Sequence, residues 1–181
     1  TRARSFGYEP GDFTGAKNLS EQKTYIGKLD WNINTVHRLS LSYRQTRGVE
    51  PQFPFYDGFS GTSFSNYWYD ASRKTDSYVG QLFSNWTSNF RTEASFSYSK
   101  FDGTNKNHGP PFPEVFIRGL TATRTDGTVI TTGTVDLGTN NNYQQNILDT
   151  KTKNASVFGE YSLGNHTLVA GADYQHTEIS N

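Results

Sequence analysis

The chain has no cysteine, which excludes a disulfide framework, thiolate catalysis and a thiolate-bound metal, and is neutral between cytoplasm and cell envelope. It has no methionine either, even at position 1, so the expectation is a processed chain or a piece of a longer one. It has no net charge: 17 Lys and Arg balance 17 Asp and Glu, and no basic cluster offers a footprint for nucleic acid. No run approaches the ~20 apolar residues of a spanning helix, so a membrane would be entered only as strands. No signal peptide is visible in Thr1 to Ser20, no helical hydrophobic period persists, and no low-complexity tail is present.

Apolar residues are also scarce, at 33%, and the mean hydropathy is strongly negative. A soluble core of this size usually draws on more Leu, Ile and Val. Aromatics run the other way, at 15%, led by 13 Phe and 11 Tyr. A transmembrane barrel reconciles the two, because polar lumen-facing residues cancel lipid-facing apolar ones in any average.

What the chain does contain is a pattern met three times: two alternating strands, a very short polar turn, then a long excursion. The copies are Tyr25 to Tyr43, Tyr78 to Tyr98 and Val157 to Tyr174. In the first, Tyr25, Gly27, Leu29 and Trp31 share one face and Lys28 and Asp30 the other, as a period of two demands. The chain reverses around Asn34–Thr35, after which Leu39, Leu41 and Tyr43 oppose Ser40, Ser42 and Arg44. Tyr25 to Trp31 spans roughly 20 Å at ~3.3 Å per residue, which suits aromatic residues bracketing a thin apolar band. The third strand, about Thr75 to Trp86, is less clean, since Val79 and Phe83 fall on its polar face. The fourth alternates Thr92, Ala94, Phe96 and Tyr98 with Glu93, Ser95, Ser97 and Ser99. The last two flank Leu163–Gly164–Asn165–His166, with Val157, Gly159 and Tyr161 before it and Ala170, Ala172 and Tyr174 after.

The expected fold is therefore all-β: an antiparallel up-and-down meander of about six strands, part of a large transmembrane β-barrel. Hairpins are expected over about 22–46, 75–101 and 152–177, with long outer loops over about 47–74 and 102–150. Thr1 to Glu21 reads as loop. Inside the second excursion, Thr121 to Leu137 is Thr/Val-rich around Asp126–Gly127, a turn signal for a hairpin outside the membrane. Short turns at one end and long loops at the other are the layout of an outer-membrane barrel. Six strands fall short of the ~8 of the smallest such barrels, so the reading is of a piece whose sheet needs further strands.

At these residues the sequence resembles the TonB-dependent outer-membrane receptors, closest to their Oar-like branch. The likeness rests on L-D-W-N-I followed by H-R-L-S-L-S-Y (Leu29 to Tyr43), on S-Y-V-G-Q-L-F-S-N-W-T-S-N-F-R-T-E-A-S-F-S-Y (Ser77 to Tyr98), and on G-N-H-T-L-V-A-G-A-D-Y (Gly164 to Tyr174). It covers the strands, about half the chain, and leaves the loops unmatched. The resemblance implies a barrel of about 22 strands plugged by an N-terminal domain. It implies uptake of a scarce nutrient, such as a siderophore or carbohydrate, energised through a TonB-type partner. The plug, the TonB-contacting box and the terminal aromatic residue of that family are not found here, and strands are expected on both sides of this piece. The implied setting is the outer membrane of a Gram-negative bacterium, with lipid, the rest of the barrel and an unidentified small ligand as partners. The family has no fixed ligand residues in this part of the barrel, so none is carried over.

On this reading Leu29, Trp31, Leu39, Leu41, Tyr43, Phe96, Tyr98, Val157, Tyr161 and Tyr174 face lipid, while Ser40, Ser42, Ser95, Ser97 and Glu160 line the interior. The first loop crowds Phe53, Phe55, Tyr56, Phe59, Phe64, Tyr67, Trp68 and Tyr69 into a short stretch. Such rings supply contact area for a ligand at low entropic cost; equally, they can pack together to hold a long loop rigid. In the second loop, His108–Gly109–Pro110–Pro111–Phe112–Pro113–Glu114 reads as a stiff spacer or a gating and contact segment. Arg118 and Arg124 are candidate contacts for an anion or ordinary solvated charges.

No catalytic site, cofactor site or metal site is read from the sequence, and no enzyme. His37, His108, His166 and His176 lack ligand spacing. Asp102–Gly103–Thr104–Asn105 lacks the alternating oxygens of a calcium loop, and Gly58–Phe59–Ser60–Gly61 has the wrong spacing for a nucleophile elbow. The glycosylation triplets at Asn18, Asn85, Asn154 and Asn165 are ascribed to chance. The alternative class is a secreted soluble β-sandwich holding carbohydrate with its aromatic loop, which would need apolar faces meeting in a core and loops of similar length at both ends. A surface-adhesin repeat would need near-identical repeat lengths, which the uneven loops do not offer.

Overall fold

The computed structural model describes residues 2–55, 61–140 and 147–180. Among the described residues the fold is all-β apart from a single helical turn, α1 (Arg2–Ser5), and a 3₁₀ turn at Ser65–Tyr67. Its strands are β1 (Glu21–Asn32), β2 (His37–Gln52), β3 (Gly61–Ser63), β4 (Tyr69–Asn85), β5 (Phe90–Asn107), β6 (Val115–Thr123), β7 (Val129–Leu137), β8 (Leu148–Leu163) and β9 (His166–Ser180). They form a six-stranded antiparallel sheet in the order β1-β2-β4-β5-β8-β9 and a three-stranded sheet in the order β3-β7-β6. The larger sheet is an up-and-down meander, open at β1 and β9.

Each hairpin is closed by the local chemistry of its turn. In the first, Asn34 Oδ1 accepts from the N–H groups of Val36 and His37, both at 2.8 Å, an Asx turn. In the second, the Trp86 N–H donates to the Phe90 carbonyl at 3.0 Å and the Thr87 hydroxyl donates to Asn89 Oδ1 at 2.7 Å. In the third, Leu163 pairs directly with His166, leaving two residues in the loop. The first of them, Gly164, has φ +59°, as a type II′ turn requires of its leading residue.

The strands reach further than their composition suggests. β2 runs on to Gln52, β4 starts at Tyr69 instead of Thr75, β5 continues to Asn107, and β8 begins at Leu148. Residues expected in the two outer loops thus extend the ladder. Pro51 and the charged residues of this stretch break the local alternation, but the neighbouring strand supplies backbone partners, and tertiary pairing overrides weak local preference. Asp102–Gly103 is accordingly strand, opposite Asp149 and Leu148. The segment before β1, read as loop, opens with α1.

The chain divides into two compact units. One gathers residues 1–21, 48–72 and 104–147, including the three-stranded sheet; the other gathers 22–47, 73–103 and 148–181. In the first, β6 and β7 form the hairpin expected at Asp126–Gly127, begun six residues earlier at Val115. The Gly127 N–H donates to the Arg124 carbonyl at 3.0 Å, and Gly127 takes φ +87°, a three-residue turn closed by a glycine bulge. β3 pairs in parallel with β7, Ser63 beside Asp136.

The units differ in what they bury, although the first also buries Ser63, Asp136, Thr139 and Asn140. Among the described residues every buried hydrophobic one lies in the first unit: Tyr67, Trp68, Tyr69, Ala71 and Leu137. The second unit buries Ser40, Asp76 and Ser84, while its leucines, valines and tryptophans are exposed or half-exposed.

Candidate functional site

Register fixes the two faces of the second unit. Phe96 pairs with Ala155 and that residue with Tyr174; Ala94 pairs with Val157 and that with Ala172; Phe90 pairs with Tyr161 and that with Leu168. Side chains opposite one another across a ladder share a face, so these rows form one continuous apolar surface. Toward the loop end it meets a ring row across β2, β4 and β5: the Tyr43 and Tyr78 centroids are 4.9 Å apart, those of Tyr78 and Tyr98 6.3 Å. Toward the short turns it meets a second row, with His37 and Trp86 at 5.0 Å and Phe90 and Tyr161 at 6.4 Å. Phe90 and Tyr98 are eight residues apart on β5, about 27 Å at ~3.4 Å per residue. Between the rows stand Leu39, Leu41, Leu82, Ala94, Phe96 and Val157, and among the described residues no charged side chain lies between them on that face; Lys153, opposite Tyr98, stands at the loop-end row. A shallow apolar groove of about 550 Å³ lined by Leu29, Leu41, Tyr43, Tyr78 and Phe96 crosses it, where Gly80 leaves Leu41 room.

Polar groups close both borders of this band. At the turn end His37 Nδ1 and Ser84 Oγ are 2.8 Å apart. At the loop end the Tyr43 hydroxyl donates to Asp76 Oδ1 at 2.8 Å, Gln45 donates to the same oxygen at 2.8 Å, and Lys74 reaches the other at 2.6 Å.

The opposite face is largely polar, although Phe158, opposite Glu93, and Val169, opposite Glu160, also lie on it. Ser95 and Ser156 hydroxyls meet at 2.7 Å, Asn154 donates to Ser97 at 3.0 Å, and Gln81 donates to Glu93 at 3.3 Å. Arg91 and Glu160 pair at 2.7 Å, and Lys28 and Asp30 at 2.9 Å. Phe83, which breaks the alternation, lies under the Arg38 guanidinium, 4.6 Å from its ring centroid, so its face is used by a cation.

In the first unit the aromatic residues of 53–69 divide by role. Tyr67, Trp68 and Tyr69 are buried. Trp68 Nε1 donates to Ser63 Oγ at 2.9 Å and its ring meets Phe53 edge-on at 5.0 Å. The Tyr67 hydroxyl donates to Glu114 Oε1 at 2.6 Å and accepts from Asn140 Nδ2 at 3.0 Å. Phe64 packs edge-on against Phe13 at 5.7 Å. Phe55 is 54% exposed and holds φ +58°, a left-handed conformation costly for a bulky residue. With Gln52, Phe53, Pro54 and Tyr69 it borders a pocket of about 350 Å³. Tyr56, Phe59 and the Gly58–Gly61 motif's first residues lie outside the described residues.

The proline segment is extended and anchored: Phe112 stacks on Tyr8 at 3.9 Å, and its N–H donates to Thr139 Oγ1 at 3.0 Å. His108 Nε2 and Asp70 Oδ1 are 3.0 Å apart. Burial pushes the Tyr8 hydroxyl above its ordinary value, partly offset by the Gly138 N–H that donates to it at 2.8 Å. The Arg118 guanidinium lies 5.5 Å from the Phe116 ring centroid. Reading by sequence missed the Tyr67–Glu114–Asn140 cluster and the buried carboxyl of Asp136. Only one signal pointed there, an acid set between Val135 and Leu137 in a strand-forming run.

No protein-family model, curated protein or solved structure matches this chain.

Proposed function

We propose that the chain is part of the wall of an outer-membrane β-barrel, a segment of a TonB-dependent receptor of the Oar-like branch that takes up a scarce small ligand. The observation that carries this reading is the apolar band on one face of the six-stranded sheet, exposed and without charge among the described residues between two aromatic rows about 27 Å apart. Outer-membrane barrels present an outward apolar band about 25 Å tall between aromatic girdles. In water such a contiguous surface would be an association liability. The largely polar opposite face suits a lumen. Open edges at β1 and β9 suit a sheet continued by further strands of the same barrel.

On this reading the short turns are periplasmic and the long connections between hairpins extracellular, with Phe53 and Phe55 as the rings to meet a ligand. Tyr67, Trp68 and Tyr69 serve it indirectly, as the core that holds the loops in shape. Energy arrives through a plug and a TonB-type partner. The soluble carbohydrate-binding reading would need a second apolar face packed on the first.

The test is the intact mass and location of the native polypeptide, taken from separated outer-membrane and soluble fractions. A product several times larger than this chain, in the outer membrane, is expected. A soluble product near 20 kDa would overturn the barrel reading.

A further inference from the structure

The first unit contains a buried carboxyl group with one oxygen that no described hydrogen-bond donor meets. Asp136 on β7 is 1% exposed, and among the described residues its Oδ1 meets no hydrogen-bond donor. An ionised carboxylate buried without a partner is strongly unfavourable, so the native state must supply a positive charge or a proton. The register puts Asp136 opposite Phe116 of β6 and Ser63 of β3. Glu114 and Arg118, two residues to either side of Phe116, are the charges whose fields reach it.

Neither neighbouring donor is turned to it. The Ser63 hydroxyl donates to the Pro54 carbonyl at 2.6 Å and accepts from Trp68. The Arg118 guanidinium lies over the Phe116 ring. Glu114 adds a second negative charge, its Oε1 fixed at 2.6 Å by the Tyr67 hydroxyl, which Asn140 holds in turn. Burial first, then the field of Glu114, raise the Asp136 carboxyl above the usual carboxylate range, with Arg118 opposing.

We propose that Asp136 and Glu114 form a site for a hard divalent cation of the calcium type, which ties β7 to the segment leading into β6. Both ligands are carboxylates, and hard oxygen donors select calcium or magnesium over softer metals. Among the described residues no third His, Cys, Asp or Glu joins them, so neutral oxygens and water complete the shell. Few charged ligands make a weak site, in roughly the 0.1–1 mM range found in extracellular modules. The cation replaces the missing donor to Asp136 and screens it from Glu114. This site stands whether or not the chain belongs to a barrel.

Terbium tests it directly, because the Tyr67 hydroxyl is bound to Glu114 and Trp68 to Ser63, the ladder neighbour of Asp136, and both rings can sensitise its luminescence. On the intact native protein, terbium emission excited through tyrosine and tryptophan should rise on titration and fall as calcium displaces it. Asp136→Asn, nearly isosteric, should weaken terbium binding at least tenfold, and Glu114→Gln should do the same from a half-buried position if the first variant folds poorly. Asp126→Asn, in the exposed β6–β7 turn, should leave the signal unchanged. Protease cleavage of residues 104–147 should be faster in chelator than in calcium. Terbium emission equal in the wild type and both site variants would overturn the proposal. So would a unit indifferent to chelator that loosens only as pH rises, since Asp136 would then hold a proton in place of a metal.

Discussion

Val157 offers the sharpest test of which side of the sheet meets lipid. It pairs with Ala94, which lies four residues from Phe90 and four from Tyr98, so it sits midway between the aromatic rows. In the isolated chain Val157 is 52% exposed. If that face met water, Val157→Arg would be an ordinary surface change, within about 0.5 kcal/mol. If it meets the bilayer midplane, the same change costs about 2–4 kcal/mol, a roughly 30- to 900-fold shift in the folding equilibrium. Ser156 is the internal control: it faces the other way, its hydroxyl 2.7 Å from that of Ser95. Ser156→Arg loses that hydrogen bond, about 1 kcal/mol, and places its charge among polar groups. Leu41, one row nearer Tyr43, should respond less than Val157, because the penalty falls toward the interface. The assay is urea titration of the intact protein folding into lipid vesicles, followed by tryptophan fluorescence. Equal shifts for Val157→Arg and Ser156→Arg, or shifts under about 0.5 kcal/mol for both, would refute the assignment.

Other outcomes follow from particular residues. Gly164→Ala should cost about 1–2 kcal/mol in the same titration, because φ +59° at the leading turn position penalises any Cβ. Tyr67→Phe removes a buried hydroxyl bound to both Glu114 and Asn140, and should speed protease cleavage of the first unit by the equivalent of about 1–3 kcal/mol. The Asp136 carboxyl is raised in the folded state, so folding favours its protonated form. Its stabilising contribution is complete below the unfolded carboxylate value and is lost as pH climbs through the raised one. In chelator, hydrogen-exchange protection of β6 and β7, taken relative to the intrinsic rise of exchange with pH, should therefore fall as pH rises, and Asp136→Asn should flatten that profile. Phe55→Ala should leave global stability nearly unchanged while weakening capture of whatever ligand the outer face takes. Unaltered uptake by that variant would remove Phe55 from the ligand surface.

Period-two alternation and turn chemistry are written locally, so the sequence alone determined the three main hairpins and the β6–β7 turn. Leu39, Leu41 and Tyr43 must share a face wherever β2 lies, and Asn34, Asp126–Gly127 and Gly164 set their reversals within a few residues. Other features depended on partners far along the chain. Residues 48–52 and 69–74 have no clean period of their own, and their strand character comes from lying on neighbouring strands. The parallel pairing of β3 with β7 joins residues about seventy positions apart, which no local pattern announces. The division of the aromatic cluster into a buried core of Tyr67, Trp68 and Tyr69 and an exposed Phe55 was likewise a tertiary decision. So was the isolation of Asp136: composition counts a carboxylate, whereas only packing decides whether a donor stands beside it. Local sequence fixes what a few adjacent residues can do with their own backbone, while burial and charge pairing depend on the distant residues that the fold brings alongside.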